Sequence, residues 1–160
     1  MRLKLYKNKQ DRDTLRTECI EKGFTESKLV AHQLRMALNF GGIKSQNAVG
    51  LASNQVGLNS SVFIALIDGK WESFINPRLE AHSKKLVAYK EGCLSLKKQF
   101  YTNRYEWVKI SYERLPDKRV TKKYSGFSAI IIQHELDHLN GKLCKDGGVN
   151  EWFRSVSEFS

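Results

Sequence analysis

Apolar and polar residues change their spacing along this chain, and the changes mark out its elements. Residues 1–6 alternate, Leu3 and Leu5 against Arg2, Lys4 and Tyr6, as a short edge strand or arm would. Residues 7–26 are charged and weakly patterned, and no element is assigned to them. Over 27–40, Val30, Leu34, Ala37 and Leu38 recur at helical spacing. That predicts a helix with one face on the core, Ser27 as N-cap and Gly41-Gly42 as stop. Residues 43–60 are rich in Gly, Ser and Asn but enclose the apolar stretch 49–57, too irregular for a linker. Residues 61–67 read as a buried strand. Asp68-Gly69 turns it tightly into 70–74, which Asn76-Pro77 closes. Residues 78–90 give a further strand pair or ribbon with Leu86, Val87 and Tyr89. Residues 104–113 alternate around Trp107 and Ile110, Leu115-Pro116-Asp117 is a turn, and 120–124 returns as a strand. Gly126 then opens a helix that runs through Ser128-Ala129-Ile130-Ile131-Ile132 and stops at Asn140-Gly141. A short tail follows, with Trp152 and Phe153. Short connections and hairpin turns predict an α+β fold. It is a single domain over 1–160, with short antiparallel strands packed around the helix of the C-terminal half.

Composition narrows the setting. With 41% hydrophobic residues, the chain is too apolar for disorder, and 160 residues suit one core. No apolar stretch approaches the ~20 residues that span a bilayer, and the N-terminus lacks a secretory signal, so a soluble cytoplasmic protein without membrane contact is expected. The formal charge of +10 draws polyanions such as RNA, DNA or ribosomes, or simply keeps the protein in solution. Cys19, Cys93 and Cys144 are odd in number and widely spaced. That is no disulfide framework, and it fits a reducing compartment with a thiol free for chemistry or metal.

The chemistry concentrates in His134-Glu135-Leu136-Asp137-His138, inside the last helix. Residues four apart share a helix face, so His134 and His138 can meet one metal ion. Glu135 stands beside that ion, where a carboxylate takes a proton from water and passes it on. Two imidazoles need a third ligand. Cys93 suits best, because Gly92 lets backbone approach closely and the segment ends a strand. A small buried hydrophobe is the plain alternative for this thiol. Cys19 lies in a charged segment, and Cys144 falls six residues past His138, around the helix end. Asp137 or Glu91 can orient a ligand histidine through its second nitrogen, or Glu91 can pair with Arg104. Phe127 and Ile130 share a side of the same helix and either line an apolar pocket beside the metal or belong to the core.

These residues resemble the peptide deformylase family, which removes the formyl group from new polypeptides beginning with N-formylmethionine. Its three motifs occur in order. Glu91-Gly92-Cys93-Leu94-Ser95 and Gln133-His134-Glu135-Leu136-Asp137-His138-Leu139 are intact, and Ala48-Val49-Gly50-Leu51-Ala52-Ser53-Asn54-Gln55 stands for the first. Phe74-Ile75-Asn76-Pro77 also matches, and the likeness runs from about residue 27 to 145. It implies that Cys93, His134 and His138 bind one divalent metal, Fe²⁺ in the cell, with Zn²⁺, Ni²⁺ or Co²⁺ as substitutes. Glu135 is then general base and acid while activated water attacks the formyl carbon, and Gln55 and the Leu94 backbone N–H hold the oxyanion. Gly50 bonds the substrate backbone; the pocket that the helix spacing offers at Phe127 and Ile130, if it is not core, would take the methionine side chain. The implied partners are formyl-Met nascent peptides and, through the basic surface, the ribosome, with no specific DNA.

Two positions depart from the first motif: Ala48 replaces its first Gly and Ser53 its second Ala. Ala48 lacks glycine's freedom at positive φ, which leaves room for a shifted loop. No Pro follows Ser95. Only 19 residues follow Gly141, so the long C-terminal helix with which many bacterial members dock on the ribosome is expected to be missing. Such a chain would suit a phage source, acting in the host cytoplasm. Two rival readings are an H-E-x-x-H peptidase and a basic module with structural zinc, which would need Cys144 as fourth ligand.

Overall fold

The computed structural model describes residues 1–40, 43 and 47–149. The expected helix stop Gly41-Gly42 and the tail with Trp152 and Phe153 lie outside the described residues. Helices α1 (Lys9–Arg16), α2 (Phe24–Asn39) and α3 (Gly126–Leu139) accompany seven strands. These are β1 (Gly50–Ala52), β2 (Val62–Ile67), β3 (Lys70–His82), β4 (Leu86–Glu91), β5 (Phe100–Tyr105), β6 (Trp107–Leu115) and β7 (Lys118–Ser125). An antiparallel sheet runs β1-β2-β3-β6-β7, and β4 and β5 form a separate ribbon. The architecture is the expected α+β class.

Strand β2 explains the layering. Its sequence Val62-Phe63-Ile64-Ala65-Leu66-Ile67 is apolar throughout because both faces are covered. Val62 and Ile64 point to one side, with Val30, Leu34 and Ala37 of α2. Phe63, Ala65 and Ile67 point to the other, with Ile131, Ile132 and Leu139 of α3. The two-residue period of a strand thus joins two cores, and α3 is buried between the main sheet and the ribbon.

Several boundaries differ from expectation. α2 begins at Phe24 after Gly23, and Ser27 is buried inside it, its hydroxyl donating to the Lys22 carbonyl rather than capping. Asn76-Pro77 does not close β3, which runs on to His82 across a bulge. Asn76 takes φ +47 there, held by hydrogen bonds between its side chain and Lys22 and Glu113. Pro77, with no N–H to give, is tolerated at such a bulge. Residues 78–82 therefore belong to β3 and not to a pair with β4. The strand expected over 104–113 is two strands, parted at Glu106. α1 has no counterpart in the sequence reading; its Asn8 cap accepts from the Gln10 and Asp11 N–H groups. Residues 1–6 are an arm rather than a strand. The Lys4 N–H donates to the Gln55 carbonyl at 2.6 Å and the Tyr6 N–H to the Ser95 carbonyl at 3.0 Å.

Candidate active site

Helix α3 brings His134 and His138 onto one face, their Nε2 atoms 3.2 Å apart. The loop after β4 brings in Cys93, whose Sγ lies 3.4 Å from His138 Nε2. Three donor atoms, one soft sulfur and two imidazole nitrogens, thus face a common point within 4.8 Å of one another. That donor set suits a divalent ion of the iron–zinc kind. Cys144 groups instead with Glu91 and His134, and burial pushes its thiol up to about 12, so it stays neutral.

His134 is steered from behind. Its Nδ1 bonds Glu91 Oε1 at 2.8 Å, which leaves Nε2 for the common point. Glu91 is itself gripped by Arg104 through Nε at 2.7 Å and Nη2 at 2.8 Å, and Arg104 Nη1 reaches Asp137 at 2.6 Å. The two options left open for Glu91 are therefore both realised, and Asp137 acts one step further out. Burial opposes ionisation of Glu91, but Arg104 and His134 outweigh it and hold the carboxylate below its ordinary range. Burial also works against charge on His134, yet its hydrogen bonds to Cys93 and Glu91 raise its pKa well above normal. His138, buried and facing His134, is driven the other way. The two imidazoles are thus pushed in opposite directions, His134 towards the charged form and His138 towards the neutral one.

Glu135 sits beside this centre, buried, with Oε2 lacking a partner among the described residues. Burial pushes its carboxyl up to about 7 against the pull of His134. Gly50 of β1 lies against it: a Cβ there would come within 2.5 Å of Oε1. The adjoining cavity, of about 410 Å³, is lined by Gly50, Gln55, Leu94, Phe127 and Ile130 together with Cys93, His134 and Glu135. Phe127 is half-exposed at its edge, so it is not core, and it lies 5.7 Å from Tyr89 across the opening.

The departures in the first motif are locally absorbed. Ala48 does not need positive φ, so the missing glycine is not a backbone conflict. Ser53 gives its buried hydroxyl to the Ser60 carbonyl. Asn54 donates to the carbonyl of His138 and ties this loop to the end of α3. The Gln55 amide is fixed in sense: Oε1 accepts from the Ala52 N–H at 3.0 Å, so Nε2 faces Ser95 at 3.2 Å and Cys93 at 3.7 Å. Asn54 was not foreseen as a support, and Arg104 was foreseen only as a partner of Glu91, not of Asp137. The available signal was the two-residue period that puts Val87, Tyr89 and Glu91 on one face of β4, with Arg104 of β5 opposite Val87.

The chain is similar to known proteins over most of its length. A family profile described as polypeptide deformylase matches residues 5–151. Peptide deformylase of Treponema pallidum is 36% identical over 121 residues, covering 73% of this chain and 74% of that protein. For the Mycoplasma genitalium enzyme, also 36% identical, the match spans 66% of this chain and 61% of that protein. The Met-Ala-Ser-bound class I type b peptide deformylase of Acinetobacter baumannii superposes with a TM-score of 0.77 at 27% identity, over 91% of this chain and 97% of that one. The chain belongs to the polypeptide deformylase family, the metal-dependent hydrolases that take the N-formyl group off new peptides.

Proposed function

We propose that this protein hydrolyses the formyl amide of N-formylmethionyl peptides at the centre formed by Cys93, His134 and His138. The observation that carries the reading is the meeting of these three donors beside a buried, partly unpaired Glu135 at the floor of a peptide-sized cavity. A divalent ion held there would act as a Lewis acid and lower the pKa of water beside it. Fe²⁺ is the proposed ion in the cell, with Zn²⁺, Ni²⁺ or Co²⁺ as substitutes, since a thiolate with two imidazoles serves all of them.

The remaining steps belong to the chain. Glu135 accepts the proton of the attacking water as its oxygen bonds the formyl carbon. Gln55 Nε2 and the Leu94 N–H donate to the oxyanion, and one such donor is worth about 3–4 kcal/mol. As the C–N bond breaks, Glu135 returns the proton to the leaving amine, and the products are formate and a free N-terminus. Among the described residues β1 pairs only with β2, so its outer edge can bond the substrate backbone at Gly50. Phe127 and Ile130 receive the methionine side chain, in keeping with the Met-Ala-Ser ligand of the Acinetobacter protein.

The cores that α2 and α3 build on the two faces of one sheet support reading 1–160 as one catalytic domain. The proposed setting is the cytoplasm; among the described residues no helix is long and apolar enough to cross a membrane. Contact with the ribosome is proposed through the basic surface that the +10 charge creates.

The test is formate release from a formyl-Met tripeptide by anaerobically purified protein. Formate and free amine should appear together, and the acetyl-Met peptide should stay intact. Internal fragments without formate would mark a peptidase instead.

A further inference from the structure

Charge is distributed unevenly between the floor and the mouth of the cavity. Two carboxylates line it, Glu91 and Glu135, and both are buried at the floor. Glu91 is taken up by Arg104 and His134, and Glu135 packs against Gly50. At the mouth stands Lys90 of β4, exposed and next to Tyr89. Its ammonium lies 5.8 Å from the ring centroid of Tyr101, its cross-strand partner. The ion pairs among the described residues do not involve it. Lys97 and Lys98 extend the same sign: both are exposed, and neither enters those pairs. They directly precede Gln99, which lines the cavity and covers Gly92. From Gly92 to Tyr105 the sequence holds no acidic residue to offset them.

We propose that Lys90, backed by Lys97 and Lys98, makes the cavity mouth select formylated peptides with an acidic side chain downstream of the first residue. This rests on the deformylase reading. A peptide laid along the open edge of β1 with its first side chain near Ile130 runs between β1 and the β4 wall. Its later residues emerge past Lys90 at the cavity lining, where charge acts over ~8 Å at physiological salt. Exposed charge pairs are weak, so the preference is modest, about two- to fivefold in kcat/KM. It falls mainly on KM, because the ammonium is remote from the reacting atoms and acts on ground and transition states alike.

The experiment compares formyl-Met-Ala-Glu, formyl-Met-Ala-Gln and formyl-Met-Ala-Lys, all as C-terminal amides, with the metal-loaded protein at low and high salt. Formate from the Gln peptide reports the reaction itself. The Glu peptide should exceed the Gln peptide about two- to fivefold at low salt, and high salt should erase the difference. Lys90→Glu should turn the order towards the Lys peptide. Equal rates for Glu and Gln at low salt, or an order unchanged in both Lys90→Glu and the Lys97→Glu/Lys98→Glu double variant, would overturn the proposal. No formate from any of the three would overturn the deformylase reading and this proposal with it.

Discussion

Gly50 and Glu135 constrain each other. Oε1 of Glu135 lies where a Cβ of residue 50 would project, at 2.5 Å, so Gly50→Ala must displace the carboxylate. We expect that variant to keep its fold and metal content but lose kcat, measured as formate release beside circular dichroism and metal analysis. Glu135→Gln keeps the shape and removes the base; formate release should fall about 10²–10⁴-fold with the metal retained. Wild-type turnover in Glu135→Gln would contradict the assigned role. At this scale the sequence was most informative. His134 and His138 are four apart on a helix, and helix geometry alone puts them on one face. Cys93 was reachable only through Gly92 and the family motif, because no local rule carries a residue from a loop to a helix 41 positions on. The orphaned Oε2 of Glu135 and the sense of the Gln55 amide are products of packing, which no spacing encodes.

The elements were legible where one period ran unbroken and illegible where chemistry interrupted it. α3 and β2 are long apolar stretches and were found. α1 buries little more than Leu15 and Asp11, so its eight residues show too little apolar stripe to read. β5 was missed because Thr102 and Arg104 hold its inward positions, polar groups where a strand pattern asks for apolar ones. That same oddity is functional. Arg104 is 1% exposed, and its charge is met by Glu91 from β4 and Asp137 from α3, so one guanidinium fastens the ribbon to the helix that carries the histidines. A buried pair is costly to break, about 3–5 kcal/mol when one partner goes. Glu91→Gln is the gentler probe. It keeps the shape but weakens the hold on His134 Nδ1, and should lower metal affinity about 10–100-fold, read by chelator competition. Unchanged affinity would mean that His134 is oriented by α3 packing alone.

At the scale of the whole molecule, the centre joins parts far apart in sequence: the loop after β4, the helix α3, and the Gln55 loop that the N-terminal arm straps in place through Lys4. The Cys93 sulfur and two imidazoles face one another there at 3.4 and 3.2 Å, a cluster that an ion would draw together. A ligand that binds the folded chain and not the unfolded one stabilises it by RT ln(1 + [L]/Kd), about 2.7 kcal/mol at a hundredfold excess over Kd. For a chain of this length each kcal/mol moves the melting temperature by about 2–4 °C. Chelation should therefore lower the thermal midpoint by about 5–10 °C, and restoring the ion should bring it back. Scanning fluorimetry with and without chelator reads the shift directly. Cys93→Ser should melt near the chelated wild type and respond little to added metal, because the soft ligand from the β4 loop is gone. Cys144→Ser should still show the full metal-dependent rise, since its thiol lies outside the group that Cys93, His134 and His138 form. A metal response lost in Cys144→Ser and kept in Cys93→Ser would move the centre to the other side of His134.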